Sequence, residues 1–408
     1  MSTHLIDLKR LRAACAVQAL GSTVQAAQAL RVAQSSVARA IQDLERACGQ
    51  VFFHRVGRGM QATEEGTSFL HRAQRALSCL AVLGGPEGRA GVHSLSWLLS
   101  RFAMGLGLRQ MQVLKALGRN LSLAGAAKEL GVGTSAVHQS LAQLEHLAGA
   151  ALFIRSRRGL RLTDAGEMAL HAVNLAWSEL EQAQQELSWR AGALRGSLVI
   201  GTLPFSTGLL LPKAVESVLS AHPGLDISIV DGTYDVLVQR LREAEIDVML
   251  GALRTEVPAP DLRQETLFED RLAVVVRAAH PLAQRAALTW ADLADADWVM
   301  PMPATPAQKV FEQAFAATGL PLPTSHLRVN SALMMQALLA QTDRLALMSP
   351  RQVRREIEAG LLRELPVQVQ HAPRPIGMVL RADYLPPPGA GLLLEQFRAF
   401  GQVLRDQA

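Results

Sequence analysis

The segment from Ala26 to Gly66 occurs twice, returning without a gap as Ala126 to Gly166. Ala26, Ala27, Leu30, Val32, Ser35, Val37, Leu44, Glu45, Gly49, Phe53, Arg55, Arg58, Gly59, Thr63 and Gly66 each recur as the same residue one hundred positions later. Solenoids stack three or more short units of roughly 20–50 residues. A single recurrence at so long a shift is a duplicated domain.

Each copy reads as helix, turn, helix, hairpin. Ser22 and Ser122 are placed to cap a helix whose small pairs, Ala26-Ala27 and Ala126-Ala127, admit another helix at close range. A turn follows at Arg31-Val32 and at Gly131-Val132. The next helix carries Val37, Ile41 and Leu44, or Val137, Leu141 and Leu144, at the spacing of one buried stripe. Its opposite face is polar: Gln34, Ser35, Ser36, Arg39 and Gln42 in the first copy, Thr134, Ser135, His138, Gln139 and Gln143 in the second. Such side chains hydrogen-bond base edges and phosphates. Beyond it, the stretches from Phe53 to Gly59 and from Phe153 to Gly159 have glycine for a hairpin turn. They also have Arg55, Arg58, Arg155, Arg157 and Arg158 to meet a phosphate backbone. Thr63 and Thr163 then cap a further helix with acidic residues in its first turn.

The paired alanines, a helix ending Leu-Glu, then Phe-x-Arg, Arg-Gly and Thr-x-x-Gly together resemble the N-terminal domain of LysR-type transcriptional regulators, here present in tandem. The family's recognition helix commonly begins Ser-Gln and carries a Ser-Arg pair one turn later. The first copy keeps Gln34 and Arg39 but has Ala33 and Ala38, and the second has Gly133, Thr134, His138 and Gln139. The alternative for either copy is a helix-turn-helix used to dock protein.

Charge supports polyanion binding at the front. Up to residue 190 there are 21 Lys and Arg against 13 Asp and Glu, and beyond it 20 against 23. At 408 residues the chain predicts roughly two to four domains. Its apolar runs stop short of the ~20 residues of a membrane span, and the first 21 residues lack a secretory pattern. A cytoplasmic, nucleoid-associated protein is expected. Cys15, Cys48 and Cys79 read as buried thiols, with no disulfide framework and no metal-ligand spacing. No cofactor is expected.

The glycine-rich run at 84–94 reads as a linker. Along 170–194 the positions Leu170, Val173, Trp177, Leu180, Leu187 and Leu194 alternate steps of three and four. This spacing fits a coiled-coil seam, or a helix packed on its own domain. LysR-like proteins dimerise through a helix at this place, so the resemblance implies a dimer through 167–195, or a tetramer, with four DNA-binding units per dimer.

From Gly196 onward, short apolar strands alternate with helices, which predicts parallel strands with right-handed crossovers. Strands are expected at 198–200, 227–230, 246–250, 272–276, 298–300, 327–329, 344–347 and 376–380, with 272–276 and 376–380 as crossings between two lobes. This half resembles the LysR effector domain, similar in fold to periplasmic binding proteins, whose ligand lies in a cleft between lobes. Residues beyond strand ends and at helix starts are then the candidates for ligand contact: Thr202, Ser206, Thr207, Leu253, Arg254, Met302, Thr305, Ser331 and Met348. Plain capping for the hydroxyls, core filling for the methionines and surface exposure for Arg254 are the alternatives.

The expected architecture is multidomain: two helix-rich winged helix-turn-helix domains (1–83 and 95–166) plus an α/β two-lobed effector domain (196–408). The expected function is regulation of transcription by a small-molecule effector, an aromatic or sugar-derived carboxylate, with promoter DNA and RNA polymerase as further partners. A transport protein sharing the C-terminal fold would not carry the basic front. An enzyme would need a phosphate loop, nucleophile elbow or metal spacing that the sequence does not show.

Overall fold

The duplication is reproduced element for element. The structure, a computed structural model, describes residues 7–57, 59–81, 83, 95–157, 159–192, 194–203, 210–257, 259–324, 326–369 and 374–406. Arg58, Arg158, Ser206, Thr207 and all of the 84–94 linker lie outside the described residues. The chain divides near Gly196 into two compact units.

In the first unit, α1 (Leu8–Leu20), α2 (Thr23–Leu30) and α3 (Gln34–Cys48) precede a hairpin of β1 (Phe53–Val56) and β2 (Gly59–Ala62), then α4 (Glu64–Leu80). After a 3-10 turn (Leu95–Leu99) and the short α5 (Arg101–Gly105) the same series returns. It comprises α6 (Leu108–Asn120), α7 (Leu123–Leu130), α8 (Thr134–Ala148), β3 (Phe153–Ser156), β4 (Gly159–Leu162) and α9 (Asp164–Arg190). Ser22 and Ser122 cap α2 and α7 as expected. Val37, Ile41, Leu44 and their counterparts Val137, Leu141 and Leu144 are buried.

The residues repeated without change hold this scaffold. One oxygen of Glu45 accepts the backbone N–H of Phe52 and of Phe53 at 2.7 and 3.1 Å, and Glu145 does the same for Leu152 and Phe153 at 2.9 and 3.4 Å. Thr63 and Thr163 donate to the carbonyls of Val51 and Ala151 and cap the following helix through the N–H of Gly66 and Gly166. A Cβ on Gly66 would stand 2.2 Å from the Phe52 oxygen, and on Gly166 2.0 Å from the Leu152 oxygen. Only glycine lets the helix start so close to the strand.

The seam on α9 has its partner inside the chain. α4 of the first copy runs along it, and Leu70, Ala73 and Leu77 join Val173, Leu180 and Ala183 in one continuous hydrophobic cluster. The seam expected to pair with a second subunit is therefore covered by the chain's own first copy. A tethered partner presents itself at an effective concentration that a free subunit does not reach. Of the three cysteines only Cys15 is fully buried, while Cys48 and Cys79 are half-buried. Burial pushes the Cys48 thiol up to about 12.

The second unit contains two sheets. The first, in the order β6-β5-β7-β13-β8, uses β5 (Gly196–Thr202), β6 (Leu225–Asp231), β7 (Val248–Ala252), β8 (Leu262–Asp270) and β13 (Arg374–Arg381). The second, in the order β10-β11-β9-β12, uses β9 (Ala273–Arg277), β10 (Trp298–Val299), β11 (Leu345–Met348) and β12 (Leu362–Glu364). Helices α10 (Leu211–Ala221), α11 (Tyr234–Arg242), α12 (Pro306–Ala316), α13 (Ala332–Gln341), α14 (Arg354–Glu358) and α15 (Pro388–Asp406) complete it.

The expectation of parallel strands holds for β5 with β7 and β10 with β11, but β13 is antiparallel to both neighbours and β9 to both of its own. The chain leaves the first sheet after Asp270 and returns at Arg374, so β13 enters from the opposite end and runs against β7. The crossings fall between Asp270 and Ala273 and between Glu364 and Arg374, just before the two strands expected to cross. β8 and β12 are additional strands, and the strand expected at 327–329 is reduced to a bridge between Met300 and Arg328.

Candidate nucleic-acid interface and effector cleft

The recognition face comes from the way α3 and α8 are held. Each is pinned on one side by its buried stripe and at its end by the shared glutamate, leaving the N-terminal half outward. Gln34, Ser35, Ser36 and Arg39 are exposed on α3, as are Thr134, Ser135, His138 and Gln139 on α8. The Gln34 amide donates to the Thr23 hydroxyl at 3.1 Å, so this side chain also ties α2 to α3. Arg39, His138 and Gln139 have no hydrogen bond or ion pair among the described residues and are available to another molecule.

The hairpins form the wings. β1 pairs antiparallel with β2 and β3 with β4, each anchored to the rest of its copy by one backbone hydrogen bond, Met60 N–H to Gly21 O and Leu160 N–H to Leu121 O at 2.9 and 2.8 Å. Arg55, Arg155 and Arg157 are exposed on them. Arg161, on β4 opposite Ile154, is a further exposed cation in the second wing. Sequence reading missed it because it follows the turn, outside the repeated stretch of arginines. Gln143 is exposed on the polar face as expected, and it also accepts a hydrogen bond from Gln110 of α6 at 3.3 Å.

In the second unit a cavity of about 550 Å³ opens beyond the strand ends, with walls from both sheets. Arg254, Met302, Thr305 and Met348 line it. Thr202, Leu253 and Ser331 are not among its lining residues. Thr202 is buried and bonds to Asp231, Leu253 packs into the core beneath the sheet, and Ser331 caps α13 through the Met334 N–H. The plain-cap alternative accounts for Ser331. Thr305 is a cap as well: its hydroxyl accepts from Gln308 N–H at 3.2 Å and donates to Met302 O at 2.7 Å, so it shapes the wall where α12 begins.

The side chain of Gln264 clamps the backbone of Arg254, accepting from its N–H and donating to its carbonyl at 3.2 and 3.1 Å. This fixes where the guanidinium starts, and it lies over the Tyr234 ring at 4.4 Å. Burial raises the Tyr234 hydroxyl above its ordinary value against the opposing pull of Arg254, keeping it a neutral donor. Lys309, Arg374, Asn330 and Gln352 also line the cavity. Arg374 is deeply buried and paired with Asp270, which also accepts from Ser349 at 2.9 Å. Neither end of the Gln352 amide, nor the Tyr234 hydroxyl, has a hydrogen-bond partner among the described residues. Nothing local in the chain pointed to Gln352, because it reaches the cavity from a 3-10 turn far along the chain.

Residues 191–402 match the LysR substrate binding domain, and residues 8–67 and 108–167 each match the bacterial regulatory helix-turn-helix protein, lysR family. The chain belongs to the LysR family of transcriptional regulators. A LysR-type protein of this kind is a DNA-binding transcription regulator controlled by a small molecule held between the lobes of its C-terminal domain. It is similar to the HTH-type transcriptional regulator GalR of Pseudomonas putida, 33% identical over 408 residues with 100% of each chain covered. It is also similar to the HTH-type transcriptional regulator PcaQ of Agrobacterium fabrum, 28% identical over 298 residues, 73% of this chain and 96% of that one. Among solved structures, a full-length OxyR variant of Pseudomonas aeruginosa shares the fold with a TM-score of 0.55 and 20% identity, over 72% of this chain and 95% of that one.

Proposed function

We propose that this LysR-type regulator reads promoter DNA with both α3 and α8 and responds to a small carboxylate bound in the second unit. The observation that carries the effector class is the composition of the cavity wall. Arg254 and Lys309, beside an Arg374 already paired with Asp270, outnumber the one lining carboxylate, Asp235, and the Gln352 amide bonds to no other described residue. A ligand that bonds to this amide takes the place of water there and gains about 0.5–1.5 kcal/mol net per hydrogen bond. The proline, methionine and tyrosine lining suits a flat apolar body, which favours an aromatic acid over a sugar acid.

On the DNA side, Arg39, His138 and Gln139 supply base-edge contacts, and Arg55, Arg155 and Arg157, with Arg58 and Arg158, supply phosphate contacts. Ligand binding controls the promoter to the extent that one arrangement of the protein binds the ligand better, typically by about 1–3 kcal/mol. The protein works as a homo-oligomer in the cytoplasm, at the nucleoid, engages RNA polymerase at the promoter, and turns over no substrate. Among the described residues no helix is long and apolar enough to cross a membrane.

Thermal shift on the full chain with benzoate, benzamide and gluconate tests the effector class, since a ligand of the folded state raises the melting temperature. Benzoate is expected to stabilise the second unit more than gluconate does and benzamide not at all, with the benzoate effect lost in Arg254→Ala. Equal stabilisation by benzamide contradicts the charge-recognition assignment.

A further inference from the structure

We infer that the two copies form a built-in pair related by a local two-fold axis, so that one chain lays both recognition helices on a single DNA site of two inverted, unlike halves. The inference rests on the reading of α3 and α8 as recognition helices and goes beyond it to the architecture of the site.

The geometry is in the contacts of α4 with α9. As α4 is followed from Glu64 through Ser68 and Arg72 to Arg75, its partners on α9 run backward: Arg190 at 3.1 Å, Glu186 at 2.7 Å, Gln182 at 2.7 Å and Glu179 at 2.8 Å. The helices are antiparallel, and the even stepping centres the pair on Leu77 and Trp177, counterparts one hundred residues apart. Equivalent helices that cross antiparallel at equivalent residues are exchanged by a two-fold axis. Each copy holds its recognition helix identically, so the same axis exchanges α3 with α8. Such symmetry matches inverted half-sites about one DNA turn, roughly 34–36 Å, or a multiple of it apart.

The pairing is also one-sided. Arg72 and Arg75 are buried on α4, where their counterparts on α9 are Ala172 and Leu175. Glu179 is buried on α9, where its counterpart on α4 is Cys79. Two α4 helices laid together would bury arginines without carboxylates, and two α9 helices the reverse. Leaving one member of a buried pair alone is strongly unfavourable, so α4 selects α9. A second tie joins the copies, from the buried Arg12 of α1 to the carbonyl of Leu106 at 2.6 Å. The halves differ because the readers differ: Gln34 and Arg39 on one side, Thr134 and Gln139 on the other.

Selection of bound sequences from random duplexes by the full-length protein reads the site directly. The expected product is two unlike half-sites in inverted orientation, Arg39→Ala altering one half and Gln139→Ala the other. A direct repeat or a lone half-site overturns the pairing; halves that change with neither variant remove the recognition reading beneath it. Oxidation of dilute Ser68→Cys/Glu186→Cys protein, with each single variant as control, should give a cross-linked species of monomer mass. A covalent dimer would mean that α4 meets α9 of another chain and overturns the inference. Arg72→Glu should lower affinity for the two-half site about 100-fold while leaving single-half binding intact, and adding Glu186→Arg should restore most of it. An Arg72→Glu protein with unchanged two-half affinity also overturns it.

Discussion

The first and second copies share a frame and differ in what they show to the outside. Glu45, Thr63 and Gly66 perform the same hydrogen bonding and close packing as Glu145, Thr163 and Gly166. The recognition faces and wings differ: Arg39 against Gln139, His54 against Ile154, Val56 against Ser156, Gly57 against Arg157. Duplication has kept the residues on which folding depends, and with them the exposed Ser35 and the wing residues Arg55 and Arg58, while other exposed positions of the two helices and hairpins have changed.

The strongest way to break that comparison is to attack the shared frame. Gly66→Ala and Gly166→Ala each force a methyl against a carbonyl and should destabilise their copy by about 3 kcal/mol, measured by thermal unfolding with loss of DNA retention. A tolerated substitution in either copy would show that the frames are not equivalent. At the recognition faces, Arg39→Ala and Gln139→Ala should each cost about 1–3 kcal/mol at the base each one reads, without changing the melting temperature. Competition binding with single-base variants of the site checks this, and identical specificity changes in both variants would erase the claimed difference.

A smaller contrast lies where the first helix of each copy ends. Gly21 closes α1 at φ 67°, while Leu121 closes α6 at φ 49° in the same left-handed region. The left-handed conformation costs a side-chain-bearing residue roughly 1–2 kcal/mol. Gly21→Leu should therefore destabilise by about 1 kcal/mol, and Leu121→Gly should be neutral or stabilising by less than that, because glycine's greater freedom when unfolded offsets part of the relief. Equilibrium unfolding of the pair decides it.

The smallest effect concerns pH. Glu129 is held below the ordinary carboxylate range by hydrogen bonds from Arg119 and, less strongly, Asn120. The first copy has Ala19, Leu20 and Ala29 there. A depressed folded-state value contributes stability that is present above the unfolded value and lost as pH falls through the folded one. The stability gap between wild type and Glu129→Gln should thus shrink on acidification below about pH 4, and a gap that is constant with pH would exclude the carboxylate as its source.

How much of this was legible in the sequence follows from range. The copies, their helices, caps and wings are set by contacts within some forty residues, and a shift-by-one-hundred comparison exposes them. The effector cleft is assembled from strands that leave one lobe and return a hundred residues later, so strand direction at β13 and the arrival of Gln352 and Arg374 were invisible to local pattern. Thr202 and Leu253 were misplaced for a related reason: the end of a strand identifies the neighbourhood, but which side chain turns into the cavity depends on packing below. The α9 seam was visible as a seam. Its partner was not, because heptad spacing does not name the helix that fills it.

Both copies engaging DNA is the claim on which the rest stands, and the salt dependence of binding by wing variants measures it most directly. On a fixed duplex retained by the full-length protein, Arg55→Ala and Arg155→Ala should each reduce the slope of log affinity against log salt by about 0.9, one phosphate contact apiece. A slope unchanged in either variant would show that its copy does not touch the phosphate backbone.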